Sequence, residues 1–255
     1  MKLKYELNPP KIKMNGLFNL PLLIERMDRF LKRAEILNGL VDGIHLTDSV
    51  LGIPRVSGIV TAGHLSMNRK LDSLPVTCTL RIRDRSFLSI CQFAADALIV
   101  GIKGIQLVAG DDSSNNAKYS VARPSETLLA LRNMGYNKHI ELDLAIPNYI
   151  DRSSLIQRKI DAKPNSFITQ SIDSLETLRS IVDVSHRNKI KVIACIMIPC
   201  EKNEPSAKTI GLNWAGYEDT PIDFIKEAGS LADEVLLTSP NNFNAGIRLL
   251  EQLKK

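Results

Sequence analysis

Lys2-Leu3-Lys4-Tyr5-Glu6-Leu7-Asn8-Pro9-Pro10 alternates polar and apolar side chains and then stops at a double proline. Alternation with period two is the signature of a strand, and proline has no N–H to continue a ladder. Leu3, Tyr5 and Leu7 share one face, and Lys4, Glu6 and Asn8 share the other. An open doubly wound sheet usually follows its first strand with a glycine-rich turn; this strand ends in Asn8-Pro9-Pro10 instead. Glu6 is the chemically loaded residue. A carboxylate on a buried strand is costly unless it is paired or used. Here it either neighbours a cation such as Lys4 or performs a function.

Outward from this stretch, strand and helix patterns alternate. Strands are predicted at 2–8, 43–48, 75–83, 104–110, 140–146, 166–170, 191–198 and 234–239. Helical spacing follows Asn19 (Leu22, Leu23, Met27, Phe30, Leu31, Ala34), runs from Ser86 to about Val100 before Gly101, and opens again at Ser125-Glu126 to end at Gly135. Further helices are predicted at 153–162, 174–188, 221–232 and 244–254, with 54–70 a weaker helix because of Gly58 and Gly63. Eight β-then-α units in 255 residues predict a (β/α)8 TIM barrel, formed as a single domain over 1–255.

Composition excludes several classes. The net charge of +5 suits anionic ligands, but the cations are interleaved with 28 acidic residues and there is one Trp. A nucleic-acid surface would need a basic stripe and stacking aromatics, so none is expected. No membrane-spanning run and no signal-peptide core is found, which predicts a cytoplasmic protein. Cys78, Cys91, Cys195 and Cys200 form no C-x-x-C pair and read as reduced and mostly buried. No metal site is expected, because closely spaced Cys or His ligands are lacking.

Parity also fills the barrel interior. On the third strand Val76, Cys78, Leu80 and Ile82 are the apolar set, so Thr77, Thr79, Arg81 and Arg83 point inward; on the fifth, Glu141 and Asp143 do. Lys4, Arg81, Glu141 and Asp143 are expected to compensate one another in a buried network. Active sites of such barrels lie at the C-terminal strand ends, here marked by Glu6, Asn8, Thr47, Asp48, Arg83, Asp84, Gly110, Asp111, Thr169, Gln170 and Thr238.

These residues resemble the methylenetetrahydrofolate reductase family. Glu6 with Pro9-Pro10 is similar to the Glu-x-x-Pro-Pro element that opens that family. Arg83-Asp84-Arg85-Ser86 resembles its Arg-Asp-Arg-Asn run, and Gly104 to Asp111 its fourth strand ending in Gly-Asp. Lys159-Ile160-Asp161-Ala162 with Thr169-Gln170 resembles its Lys-x-x-Ala…Thr-Gln stretch, and Ile196-Met197-Ile198-Pro199 its Gly-Ile-x-Pro strand, with Cys195 in place of Gly. The resemblance spans roughly residues 3–200, in order.

It implies reduction of the methylene bridge of a reduced pterin, tetrahydrofolate or tetrahydromethanopterin, to a methyl group. Glu6 would be the general acid, with its pKa raised by burial. Asp111 would favour the cationic iminium and contact both pterin and cofactor. Gln170, with Asn8 and Thr169, would bind the substrate. Thr47, Thr79, Arg83 and Lys159 would lie on the cofactor side. Thr77 or Thr79 stands where flavin-bearing members have a His, and Ile146-Pro147-Asn148-Tyr149 lacks their His-Pro-Glu element. The hydride donor is therefore left open among FAD, NAD(P)H and a deazaflavin. The alternatives are a non-catalytic pterin-binding subunit of a reductase complex and an unrelated barrel lyase or aldolase. The last would need a lysine at an inner strand end, which is lacking. A homo-oligomer is compatible with all three.

Overall fold

The computed structural model describes residues 1–12, 17–71, 73–83, 85–110, 123–148 and 153–254. Eight strands close in the order β1-β2-β3-β4-β5-β6-β7-β8, a parallel (β/α)8 barrel as periodicity predicted. They are β1 Lys2–Leu7, β2 Gly43–Leu46, β3 Val76–Arg81, β4 Gly104–Val108, β5 Glu141–Ile146, β6 Ser166–Thr169, β7 Lys191–Met197 and β8 Glu234–Thr238. The helices are α1 Leu20–Leu37, α2 Gly58–Ser66, α3 Phe87–Ile99, α4 Pro124–Asn133, α5 Ser153–Asp161, α6 Leu175–Arg187, α7 Glu204–Ile210, α8 Pro221–Leu231 and α9 Phe243–Leu253.

Local chemistry sets the helix ends. The side chains of Asn19, Ser57, Ser86, Ser174 and Asn242 each accept a backbone N–H at an N-terminus. Gly101 and Gly135, which the sequence marked as stops, have φ of 82° and 89°. The weak 54–70 segment yields only the short helix α2. The helix α7 was not foreseen. Its signals are Pro205 in the first turn and Gly211 at φ 71° after the last.

The chain divides into two compact units. One comprises Met1–Glu6, Gly39–Gly43 and Asp143–Lys255; the other comprises Leu7–Asn38 and Ile44–Leu142. In the first unit, β1 pairs with β8 (Lys4↔Leu236), β8 with β7 (Cys195↔Leu236) and β7 with β6 (Ile168↔Ile193). Ile168, Ile193, Cys195 and Leu236 form one buried cluster. On the other face of β1, Tyr5 is 1% exposed and meets Phe243 edge-on at 6.0 Å. Its ring lies so close to Gly246 of α9 that a Cβ there would overlap it.

Below the strand ends the interior is charged, as parity predicted, and Lys4 finds a different partner from the one expected. Lys4 Nζ meets Glu234 Oε2 at 2.6 Å, and Lys2 Nζ meets Glu234 Oε1 at 2.6 Å. For Lys4 the expectation is corrected: its counter-charge is Glu234 on β8, the strand paired with its own. Burial alone would raise the Glu234 carboxyl, but hydrogen bonds from Lys2 and Lys4 outweigh it and hold the group below the usual range.

Candidate active site

In the unit containing β1 and β5–β8, Glu6 is half-buried at the C-terminal part of its strand. Thr238 Oγ1, from the end of β8, donates to Glu6 Oε1 at 2.7 Å. Cys195 lies close enough for the Glu6 charge to oppose its ionisation. Burial first, then Glu6, push that thiol up to about 12. Cys195 Sγ in turn sits 3.8 Å from Ser171 Oγ. Cys195 and Ser171 thus link β7 to the loop after β6.

That loop borders a pocket of about 230 Å³ lined by Asn148, Gln170, Ser171, Asp173 and the turn Ile210 to Leu212 at the end of α7. The loop is pinned from three sides. Gln170 N–H donates to Ile146 O at 3.2 Å, Asn148 Nδ2 donates to Ser171 O at 2.8 Å, and Ile172 N–H donates to Cys195 O at 2.8 Å. Gln170 is exposed in the pocket, whereas Thr169 is 4% exposed and is not among the lining residues. The Thr169 hydroxyl accepts the Cys195 N–H at 2.9 Å, so it ties β6 to β7 rather than facing the pocket. Tyr217 anchors the same region: its hydroxyl donates to Met197 O at 2.9 Å, and its ring stacks on Phe224 at 4.3 Å.

Lys159, on α5, is not a freely solvated cation. Its Nζ donates to Ala145 O at 2.5 Å, and burial pulls its pKa down. It reaches the end of β5 from a helix, by way of a backbone carbonyl.

In the unit containing β3 and β4, two of the expected residues come together. Thr47 Oγ1 donates to Asn8 Oδ1 at 2.8 Å. Thr79 donates to Gln106 Oε1 at 3.1 Å and lies 2.8 Å from His45 Nε2; His45 Nδ1 lies 2.9 Å from Thr77 Oγ1. Because the Thr79 hydrogen goes to Gln106, a neutral His45 carries its proton on Nε2 and accepts from Thr77 at Nδ1. At the end of β3, Asp48 Oδ2 accepts the Arg81 N–H at 3.1 Å and meets Arg85 at 3.3 Å. Arg85 also lies 5.3 Å from the Phe93 ring centre. Arg83 is half-buried just beyond. Gly110, after β4, has φ 93°, and a Cβ there would lie 2.5 Å from Arg81 Cγ. Asp111 and Asp84 lie outside the described residues.

A cavity of about 280 Å³ opens elsewhere in this unit, at the N-terminal ends of β2 to β4, among Ile44, Leu65, Val76 and Ile102. Its walls are largely aliphatic and carry one lysine, Lys103, so it offers little chemistry. Among the described residues no cluster of His, Cys, Asp or Glu could hold a metal ion, and no helix is long and apolar enough to cross a membrane.

Sequence reasoning missed Thr238 as the partner of Glu6, Glu234 as the partner of Lys4, and Asp173 in the pocket. Thr238 was placed at the mouth by its position at the end of β8 but not paired with Glu6, and Glu234 was legible only as an acidic residue at the start of that strand. Asp173 carried the signal of an acidic residue two positions before a helix.

No family model and no curated protein matches the chain. Solved structures do. An aldolase, QR15, is 13% identical with a TM-score of 0.55, covering 98% of this chain and 93% of its own. Orotidine 5'-monophosphate decarboxylase from Methanocaldococcus jannaschii is 12% identical with a TM-score of 0.57, covering 100% and 99%. A tryptophan synthase structure from Mycobacterium tuberculosis is 11% identical with a TM-score of 0.60, covering 99% and 90%. All three are enzymes. At this identity the likeness establishes the barrel alone.

Proposed function

We propose that this protein is an enzyme of the methylenetetrahydrofolate reductase type. It reduces the methylene bridge of a methylene-tetrahydropterin to a methyl group, with Glu6 as the general acid. One observation carries the assignment. A half-buried carboxylate accepts a hydroxyl hydrogen bond at the strand ends that serve barrel enzymes as active sites, and the same compact unit carries the pocket that Gln170 lines. Thr238 suits an acid that changes state. Its hydroxyl donates to the carboxylate and can turn to accept from the carboxylic acid.

The proton of Glu6 goes to a bridge nitrogen, whose bond to the methylene carbon breaks. The resulting iminium cation takes a hydride at that carbon, and Glu6 is left ionised. Nearby negative charge favours the cation, which is the role the resemblance assigns to Asp111. Gln170 orients the ring through its amide.

Three of the residues that the resemblance assigns to a flavin are engaged within the protein. The hydroxyl hydrogens of Thr47 and Thr79 are taken by Asn8 and Gln106, and the Lys159 ammonium is bound to a backbone carbonyl. The hydride comes from FAD, NAD(P)H or a reduced deazaflavin, and the assay below distinguishes them.

The test is an anaerobic assay of the purified protein with each methylene-tetrahydropterin and each donor, alongside its absorption spectrum. Wild type should turn over, and Glu6→Gln should bind pterin without turnover. Unchanged turnover in Glu6→Gln sinks the acid role. Pterin binding without turnover under every donor points instead to a non-catalytic pterin-binding subunit.

A further inference from the structure

The pocket after β6 has a chemical bias that the resemblance does not explain. Among the described residues its lining includes one carboxylate, Asp173, two side-chain amides and one hydroxyl, and no lysine or arginine. This occurs in a chain with 33 basic residues against 28 acidic. A lining that presents a carboxylate to the pocket favours a ligand edge that donates hydrogen bonds. Its other wall is aliphatic, with Ile210, 52% exposed, and Leu212 at the end of α7. An apolar wall facing a few fixed polar groups suits a flat heterocycle.

Asp173 is held where it can act. Its Oδ2 accepts the Asn213 N–H at 3.4 Å, joining the β6 loop to the chain after α7. Its neighbour Ile172 is fully buried and bonded to β7, and Ser171 is held by Asn148. The Asn148 amide is oriented by chemistry, because the atom facing a carbonyl oxygen must be its NH2. A carboxylate has acceptor capacity for several donors, so the bond to Asn213 leaves room for a ligand.

We propose that Asp173 is a specificity-determining residue that accepts hydrogen bonds from the amino-pyrimidinone edge of the reduced pterin, beside Gln170 and against the Ile210–Leu212 wall. This rests on the reductase assignment above and adds to it the residue that reads the ring. The 2-amino group and the adjacent ring N–H are neighbouring donors, a pair that matches the two oxygens of a carboxylate. Replacing the amino group by an oxo group removes one donor and sets an acceptor against the carboxylate. A site built to bond a donor discriminates strongly against an analogue that lacks it.

The experiment uses the full chain and two small probes under anaerobic conditions, 6-methyltetrahydropterin and its 2-oxo counterpart 6-methyltetrahydrolumazine, with affinities from calorimetry. Wild type should prefer the pterin by about tenfold or more. Asp173→Asn should lose about 10- to 100-fold in pterin affinity and most of that preference, and Asp173→Glu should recover part of both. Thermal midpoints are compared to show that each variant folds. Ile210→Trp, which narrows the pocket without touching its polar groups, should weaken both probes together. Equal wild-type affinity for the two probes overturns the proposal, as does an Asp173→Asn affinity equal to wild type. Turnover with an unchanged KM in Asp173→Asn overturns it while leaving the reductase assignment standing. Asp173-dependent pterin binding with no turnover supports it and removes the reductase assignment.

Discussion

Thr238 Oγ1 donates to Glu6 Oε1 at 2.7 Å, across the β1–β8 pair. Thr238 itself is 4% exposed. Thr238→Val keeps the shape and removes the bond. The expected result is a fall of about tenfold in kcat with KM within a factor of two, since a lost positioning bond of this kind is worth about 1–2 kcal/mol. Thr238→Ser should restore most of the rate. A fall in kcat that serine does not rescue would make Thr238 a packing residue.

Glu234 is the second carboxylate whose partners decide its role. Lys4 has a side chain 7% exposed, and Glu234 one 10% exposed. Glu234→Gln leaves a buried ammonium without its counter-charge and should cost about 3–5 kcal/mol in urea unfolding. The pH dependence has a definite sign. The folded pKa of Glu234 lies below its ordinary value of 4.5, so its contribution is present above about pH 4.5 and is lost as pH falls through the lower folded value. Wild type should therefore lose stability on acidification in that window. Glu234→Gln should lose less.

Gly110 combines two demands that only glycine meets. Its φ is 93°, and the Arg81 side chain occupies the place a Cβ would take. Gly110→Ala should destabilise by about 1–3 kcal/mol and displace Arg81. A thermal midpoint equal to wild type would show that the turn and Arg81 relax without cost. Gly246 offers a comparison in which sterics act alone: Gly246→Ala should destabilise because its methyl overlaps the Tyr5 ring, although alanine is the better helix former.

The thiols separate into two classes. Cys78 and Cys195 are buried, and Cys91 and Cys200 are half-buried. Burial raises the Cys78 thiol well above its ordinary range, and burial with the Glu6 charge lifts Cys195 to about 12. Both stay protonated at neutral pH, and the thiolate is the reactive form. A thiol reagent at pH 7.5 should label Cys91 and Cys200 first, with Cys78 and Cys195 labelling only as fast as the protein opens. Rapid labelling of Cys195 in the native state would contradict the burial of the Glu6 surroundings.

Much of the barrel was legible because strand and helix periodicities are local. The alternation in Leu3, Tyr5 and Leu7 identified the helix-facing side of β1, and the same parity turned Lys4 and Glu6 inward. Ser86, Gly101 and Gly135 marked helix ends by their own backbone chemistry. The candidate site was legible only in part. Gln170 does line a pocket, but Thr169, its neighbour, turns its hydroxyl to the backbone of β7. Parity distinguishes adjacent strand residues, yet the end of a strand blurs it. The short helix α7 was overlooked because seven residues hold too few turns for a helical period to emerge.

By itself the sequence determined which residues face inward and in what order the elements follow, since both depend on neighbours along the chain. Only the tertiary structure decided the partners. Glu6 and Thr238 are 232 positions apart, as are Lys2 and Glu234. Nothing local links them. They meet because closing the barrel sets its last strand beside its first, so the surroundings of the candidate acid are assembled from the two ends of the chain.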